Sequence, residues 1–348
     1  MLRMPASALT RRALLGGAAV AAGAGLGHRV WGAPTGRALP AGFMKGMTVS
    51  CPGYGQIWGS ETMRSTLAEL STLGVAWTAV HPYAGVDRSG RIRAHPAEET
   101  GYLPACTRIA ADAGHHLFWK PHLAYWGSFS WRGDIHFEDP AAWDRFFTGY
   151  REFIVDQARF AEARKLPLFA VGVEYKRTLQ HEARWREIIA AVRKVYRGPI
   201  TYAANWDEVE HVPFWDAVDL IGVQFYFPLS VEADPPMTAL VAAWDAPLAR
   251  LAAASRAHGG RPVVLTEIGY ARSMKAAREP WQPDVDGSAG AIDLRSKLLA
   301  AALARVSSAP HIRGAFWWKW IPGHDGWDRD FSMKDPEARA ALAAHWKV

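Results

Sequence analysis

Short apolar runs alternate with longer amphipathic stretches along most of this chain, the pattern of strand–helix units feeding a parallel sheet. Phe43–Cys51, Val75–His81, His116–His122 and Leu168–Glu174 read as strands. Ile200–Asn205, Leu220–Tyr226, Val263–Glu267 and Gly314–Trp320 read as four more. Between them Glu61–Leu73, Pro140–Arg164, Glu182–Tyr196 and Leu298–Val306 carry helical spacing. In Glu182–Tyr196 the side chains of Trp185, Ile188, Ile189, Val192 and Val195 fall on one apolar stripe. Eight strands, each followed by a helical pattern or a loop long enough to hold one, predict a single α/β domain, a (β/α)8 barrel over residues 40–348. The competing doubly wound sheet would place a G-x-G-x-x-G turn after its first strand. The run from Cys51 to Gly59 is glycine-rich without that spacing, and reads as a loop on the working face with Trp58 as a candidate contact. No repeat or low-complexity linker marks a second domain. The loops at 126–139 and 275–290, which carry Trp, Asp and Gly, are expected to decorate the same face.

Composition changes this picture mainly at the N-terminus. Thr10-Arg11-Arg12 precedes the small-residue apolar run Ala13–Leu26, which is too short to span a bilayer. The arginine pair resembles a twin-arginine export signal, so residues 1–33 are expected to be a signal segment and the mature protein to be periplasmic or extracellular in a bacterium. No later stretch is apolar enough to predict membrane insertion, and a monomer is expected. The formal charge of +6 falls to +2 once the four arginines of those 33 residues are set aside. Without a basic run elsewhere, a nucleic-acid partner is not expected. Cys51 and Cys106 fit neither a disulfide framework nor a metal motif, and read as two buried free thiols. Seventeen tryptophans against fourteen phenylalanines is an unusual ratio; the indoles suit either core packing or a groove where rings stack on sugars.

In such a barrel, catalytic groups stand at the C-terminal ends of strands. Two apolar runs finish in a carboxylate: Leu168-Phe169-Ala170-Val171-Gly172-Val173-Glu174 and Pro262-Val263-Val264-Leu265-Thr266-Glu267. Either acid alone reads as a loop or cap residue. On strands four and seven they lie nearly opposite one another, where they can converge over the pore. Hydrolysis of a glycosidic bond needs such a pair, one acid to protonate the leaving oxygen and one carboxylate to attack or stabilise the anomeric carbon. Tyr226, ending strand six, is placed to donate a hydrogen bond to Glu267.

Four motifs in order, Val171-Gly172-Val173-Glu174, Tyr202-Ala203-Ala204-Asn205-Trp206-Asp207-Glu208, Thr266-Glu267-Ile268-Gly269-Tyr270 and Phe316-Trp317-Trp318-Lys319-Trp320, together resemble glycoside hydrolase family 113. The resemblance runs from Gly42 to Trp346. It implies a retaining enzyme with Glu174 as acid/base and Glu267 as nucleophile, acting within β-1,4-mannan or a related β-glycan. The clan commonly has Asn before its acid/base to bond the sugar 2-hydroxyl; this chain has Val173, leaving Asn205 or His122 as candidates for that task. Lys120 and His122 share a face by period two and can bond hydroxyls at the pore mouth. Of Trp317 and Trp318, which point to opposite faces, Trp318 is the better stacking platform, while Asp207 and Glu208 read as caps of the next helix. A carboxylate mechanism implies no cofactor and no metal. Two alternatives remain: the same machinery on another β-glycan or exopolysaccharide, as hydrolase or transglycosylase, and a carbohydrate-binding barrel without chemistry.

Overall fold

The eight apolar runs are the eight strands of one closed barrel. The computed structural model describes residues 37–51, 53–323 and 330–347; the expected signal segment lies outside them. The strands are β1 (Met44–Val49), β2 (Trp77–Val80), β3 (His116–Trp119), β4 (Leu168–Val173), β5 (Ile200–Asn205), β6 (Leu220–Phe225), β7 (Val263–Ile268) and β8 (Ile312–Trp320). Chain neighbours pair throughout, and β8 closes the barrel by pairing in parallel with β1.

Around them lie α1 (Glu61–Thr72), α2 (Tyr102–Asp112), α3 (Pro140–Ala163), α4 (Glu182–Arg193), α5 (Met237–Ala243), α6 (Asp245–Ala257), α7 (Ala289–Val306) and α8 (Pro336–Trp346). Local chemistry starts the long ones. Asp139 accepts a hydrogen bond from the Ala141 amide with Pro140 in the first turn of α3, and Ser288 caps α7 through the Ala291 amide. The stripe on α4 buries Trp185, Ile188, Ile189 and Val192 against the strands, each contributing about 1.5–3 kcal/mol. The β5 strand is followed only by short 3-10 turns at Val209–His211 and Trp215–Ala217. No helix among the described residues is long and apolar enough to cross a membrane.

Strand alternation sorts the barrel interior into two layers. Met44, Trp77, Ala79, Phe118, Ala170 and Phe316 belong to an apolar plug. Above it, toward the C-terminal ends, the buried side chains turn polar: Thr48, His81, Lys120, Gln224, Thr266 and Glu267. The run expected as one third strand is in fact two. Barrel pairing ends at Trp119, and His122–Ala124 pairs instead with Tyr83–Val86 in a three-stranded side sheet completed by Ile92–Arg93. Pro121, which has no amide to donate, stands at the break.

Candidate active site

Glu174 is the first residue after β4 and adopts a left-handed backbone, φ 57°, which costs a non-glycine residue about 1 kcal/mol. Its amide donates to the Ala203 carbonyl at 2.8 Å and its own carbonyl accepts from the Lys176 amide at 2.9 Å, holding the turn. Across the mouth, Glu267 lies inside β7, where the pairing with β6 shifts register between Leu265 and Glu267. The shift matters because strict alternation would send Thr266 and Glu267 to opposite faces. Instead Thr266 Oγ1 donates to Gln224 Oε1 at 2.8 Å while Glu267 reaches Lys120 and Tyr226, so consecutive side chains both serve the pore.

The two carboxylates occupy different surroundings. Glu267 has a donor on each oxygen, Lys120 Nζ at 2.5 Å from Oε1 and Tyr226 Oη at 3.2 Å from Oε2. Lys120 is wholly buried and also donates to the Thr266 carbonyl at 3.2 Å. Burial lowers its ammonium, and the Glu267 carboxylate pushes it back up. Burial raises the Tyr226 phenol well above its ordinary range, so it stays a donor. Glu174 is pushed up to about 7, first by burial and then by the Glu267 charge, against the opposing pull of Arg132. The Arg132 guanidinium stands 3.6 Å from Glu174 Oε2.

Arg132 donates to His122 Nδ1 at 3.1 Å. Arginine can only donate, so His122 accepts at Nδ1 and carries its proton on Nε2, which is buried without a partner. His81 stacks on it with ring centroids 4.9 Å apart, and neither of its ring nitrogens has a partner. Burial, then neighbouring cations, hold both imidazoles well below their ordinary range. Two neutral rings with spare hydrogen-bonding atoms are thus set into the mouth beside the half-buried Trp318 indole, 5.7 Å from His81. The Trp318–Lys319 peptide is cis.

Several expected contacts lie elsewhere. Trp317 points outward and is 1 % exposed in the packing between barrel and helices, so it offers no platform. Trp58 is wholly buried with its Nε1 on the Val49 carbonyl at 2.9 Å; it backs the His81 ring edge-on and does not face solvent. Asn205 is half-buried, and its amide nitrogen is taken by Asp207 at 2.6 Å. Asp207 and Glu208 do not cap a helix; they pair with Lys176 at 3.1 and 2.6 Å. Cys51 and Cys106 are buried free thiols. His81 and Arg132 were missed. Alternation from Trp77 and Ala79 points His81 inward, but Arg132 sits in a loop with no periodicity to reveal it. Among the described residues no group of three His, Cys, Asp or Glu side chains could hold a metal ion.

The model of Glycoside Hydrolase Family 113 matches residues 47–330, which includes both strand-end glutamates and the whole ring around them. The chain belongs to glycoside hydrolase family 113. Its fold is similar to that of the family 113 β-mannanase AaManA from Alicyclobacillus acidocaldarius, solved in complex with ManMIm: 26 % identity, TM-score 0.76, 89 % of this chain and 99 % of that one covered. A family 113 β-1,4-mannanase matches at 22 % identity and the same TM-score of 0.76, over 88 % and 99 % of the two chains. Two fungal β-1,4-galactanases share the fold at 16 % identity and TM-score 0.53, over 88 % and 100 %. No curated protein sequence matches. Family 113 membership makes this chain a glycosidase, with a carbohydrate as its substrate.

Proposed function

We propose that this family 113 chain is a retaining endo-β-glycosidase acting on a β-1,4-mannan-type backbone, with Glu174 as acid/base and Glu267 as nucleophile. The observation that carries the assignment is the unequal treatment of the two carboxylates. Glu267 receives one charged and one neutral donor, Lys120 and Tyr226, one on each oxygen. Glu174, buried and pushed up to about 7, is the member of the pair that still carries a proton in a substantial fraction of molecules at neutral pH. In the first step Glu174 passes its proton to the leaving glycosidic oxygen while a Glu267 oxygen bonds the anomeric carbon, giving a glycosyl ester. In the second, Glu174 takes a proton from water, the hydroxide replaces Glu267, and both carboxyl groups return to their starting states.

Of the two candidates for the hydroxyl contact that Val173 leaves open, the Asn205 amide is already engaged by Asp207 and His122 is wholly buried, so neither offers a free exposed donor. We also propose export, on the twin-arginine pattern at Arg11-Arg12.

A Glu267→Ala variant is expected to lose turnover on β-mannan by about 10³-fold or more while still binding mannan oligosaccharides. Proton NMR of the first-formed product is expected to show the β-anomer; immediate appearance of the α-anomer would end the double-displacement assignment. A digestion panel of mannan, glucomannan, xylan and mixed-linkage glucan tests the backbone, and release from xylan alone would end the mannan assignment.

A further inference from the structure

Charge conservation at this site points to a property of the substrate beyond its backbone, provided the double-displacement reading above holds. In that cycle Glu174 and Glu267 share one negative charge at each resting point. Before attack Glu174 is protonated and Glu267 ionised; in the glycosyl ester Glu267 is neutral and Glu174 ionised. Lys120 and Arg132 bring two positive charges to the same pair, at 2.5 and 3.6 Å. Nothing else among the described residues redresses the balance. His81 and His122 are neutral, the Tyr83 and Tyr226 phenols stay protonated, and Lys319 is matched by Asp330 at 2.9 Å. One positive charge is left over throughout.

Before attack the surplus falls on Arg132. Among the described residues its one hydrogen bond runs to an uncharged imidazole, its Nε is buried without a partner, and its close acid, Glu174, is then protonated. A largely buried guanidinium without a counter-charge is costly, and a group that enters with the substrate can relieve it. The guanidinium is a planar fork whose preferred partner is a carboxylate. It is held at the acid/base by His122 on one side and by the Tyr125 ring, 5.5 Å from its carbon, on the other. We infer that the glycan cleaved here carries uronic acid units, and that Arg132 receives the carboxylate of a sugar beside the scissile bond. A neutral mannan leaves Arg132 unpaired in the Michaelis complex; a β-1,4-linked mannuronic acid chain, the same backbone oxidised at C6, pairs it.

The test uses Glu174→Gln protein, which fixes the acid in its uncharged form and stops turnover. Mannuronic acid oligomers are titrated into it by calorimetry, beside the same oligomers after reduction of their carboxyl groups, which keeps backbone and linkage. The acidic oligomer is expected to bind at least tenfold more tightly at low salt. Adding Arg132→Gln is expected to remove that preference, read as the ratio of the two oligomers' affinities for the same protein, whatever the change in overall affinity. Equal or tighter binding of the neutral oligomer by Glu174→Gln protein overturns the inference and leaves the glycosidase reading standing. If neither oligomer binds, and the wild-type enzyme cleaves neither, both the inference and the mannan-type backbone fall. The comparison of the two oligomers on the single variant stands even where the double variant does not fold.

Discussion

Under the proposed acid/base role, protonation of one buried side chain sets the pH range for turnover. Glu174 is pushed up to about 7, chiefly by burial, and in that role it carries its proton when glycosidic cleavage begins. Turnover on the best substrate, followed as kcat/KM, is therefore expected to fall as pH rises through about 7. The same shift has a cost in stability. Between the unfolded carboxyl value near 4.3 and about 7, the unfolded chain gives up a proton that the folded chain keeps. Stability from this group is full below that window and is lost as pH rises through it. Glu174→Gln is thus expected to raise the melting temperature relative to wild type at pH 8 and to leave it unchanged at pH 4. Tyr226→Phe removes a hydrogen bond to the proposed nucleophile Glu267, and a turnover loss of about 10- to 100-fold is expected from steady-state rates. Glu174, Glu267 and Tyr226 were legible in the sequence as candidates because each stands at or within one residue of the end of an apolar strand run. Arg132 was not, since nothing in a loop sequence says which way a side chain will fold back.

At the scale of elements, seven of the strands match the sequence reading to within two residues at each end, because their apolar runs are bounded by polar turns; the third ends three residues early. Two details escaped. The break at Pro121 and the register shift before Glu267 both alter which face a side chain meets, and neither leaves a trace in hydrophobicity. A strict period-two count from Val264 would have turned Glu267 outward. The β7–β8 spacing depends on a similarly quiet residue. A Cβ at Gly269 would lie 2.5 Å from the Trp318 carbonyl oxygen, a backbone atom that cannot swing aside. Gly269→Ala is expected to displace the Trp318 platform, lowering kcat/KM by about tenfold and stability by about 1–3 kcal/mol in urea unfolding.

Over the whole molecule, the barrel was evident from the count of eight strands, but the ties that lock its last units were not. Arg295 on α7 is wholly buried. It donates to the Tyr270 carbonyl at 2.8 Å, pairs with Asp335 at 2.7 Å and Glu337 at 3.3 Å at the start of α8, and bonds the Ser332 carbonyl. Sequence reading gives such a residue only as one helical arginine among many. Arg295→Met takes this donor from the Tyr270 and Ser332 carbonyls and leaves Asp335 and Glu337 to Arg272 alone, and a loss of about 3 kcal/mol is expected from equilibrium unfolding. At the seam, Lys45 Nζ of β1 donates to the Trp346 carbonyl at 2.6 Å, and Glu69 of α1 pairs with Arg339 of α8.

Closure of β1 against β8 also sets a timetable. A ribosome delivering 5–20 residues per second needs roughly 15–60 seconds to reach the end of the eighth strand. Throughout that interval one edge of β1 presents unpaired amides and carbonyls to any other nascent strand nearby. Trp318, on that final strand, is made only as the gap can close. Catalytic competence and protection from edge-to-edge aggregation therefore arrive together, with the last strand translated.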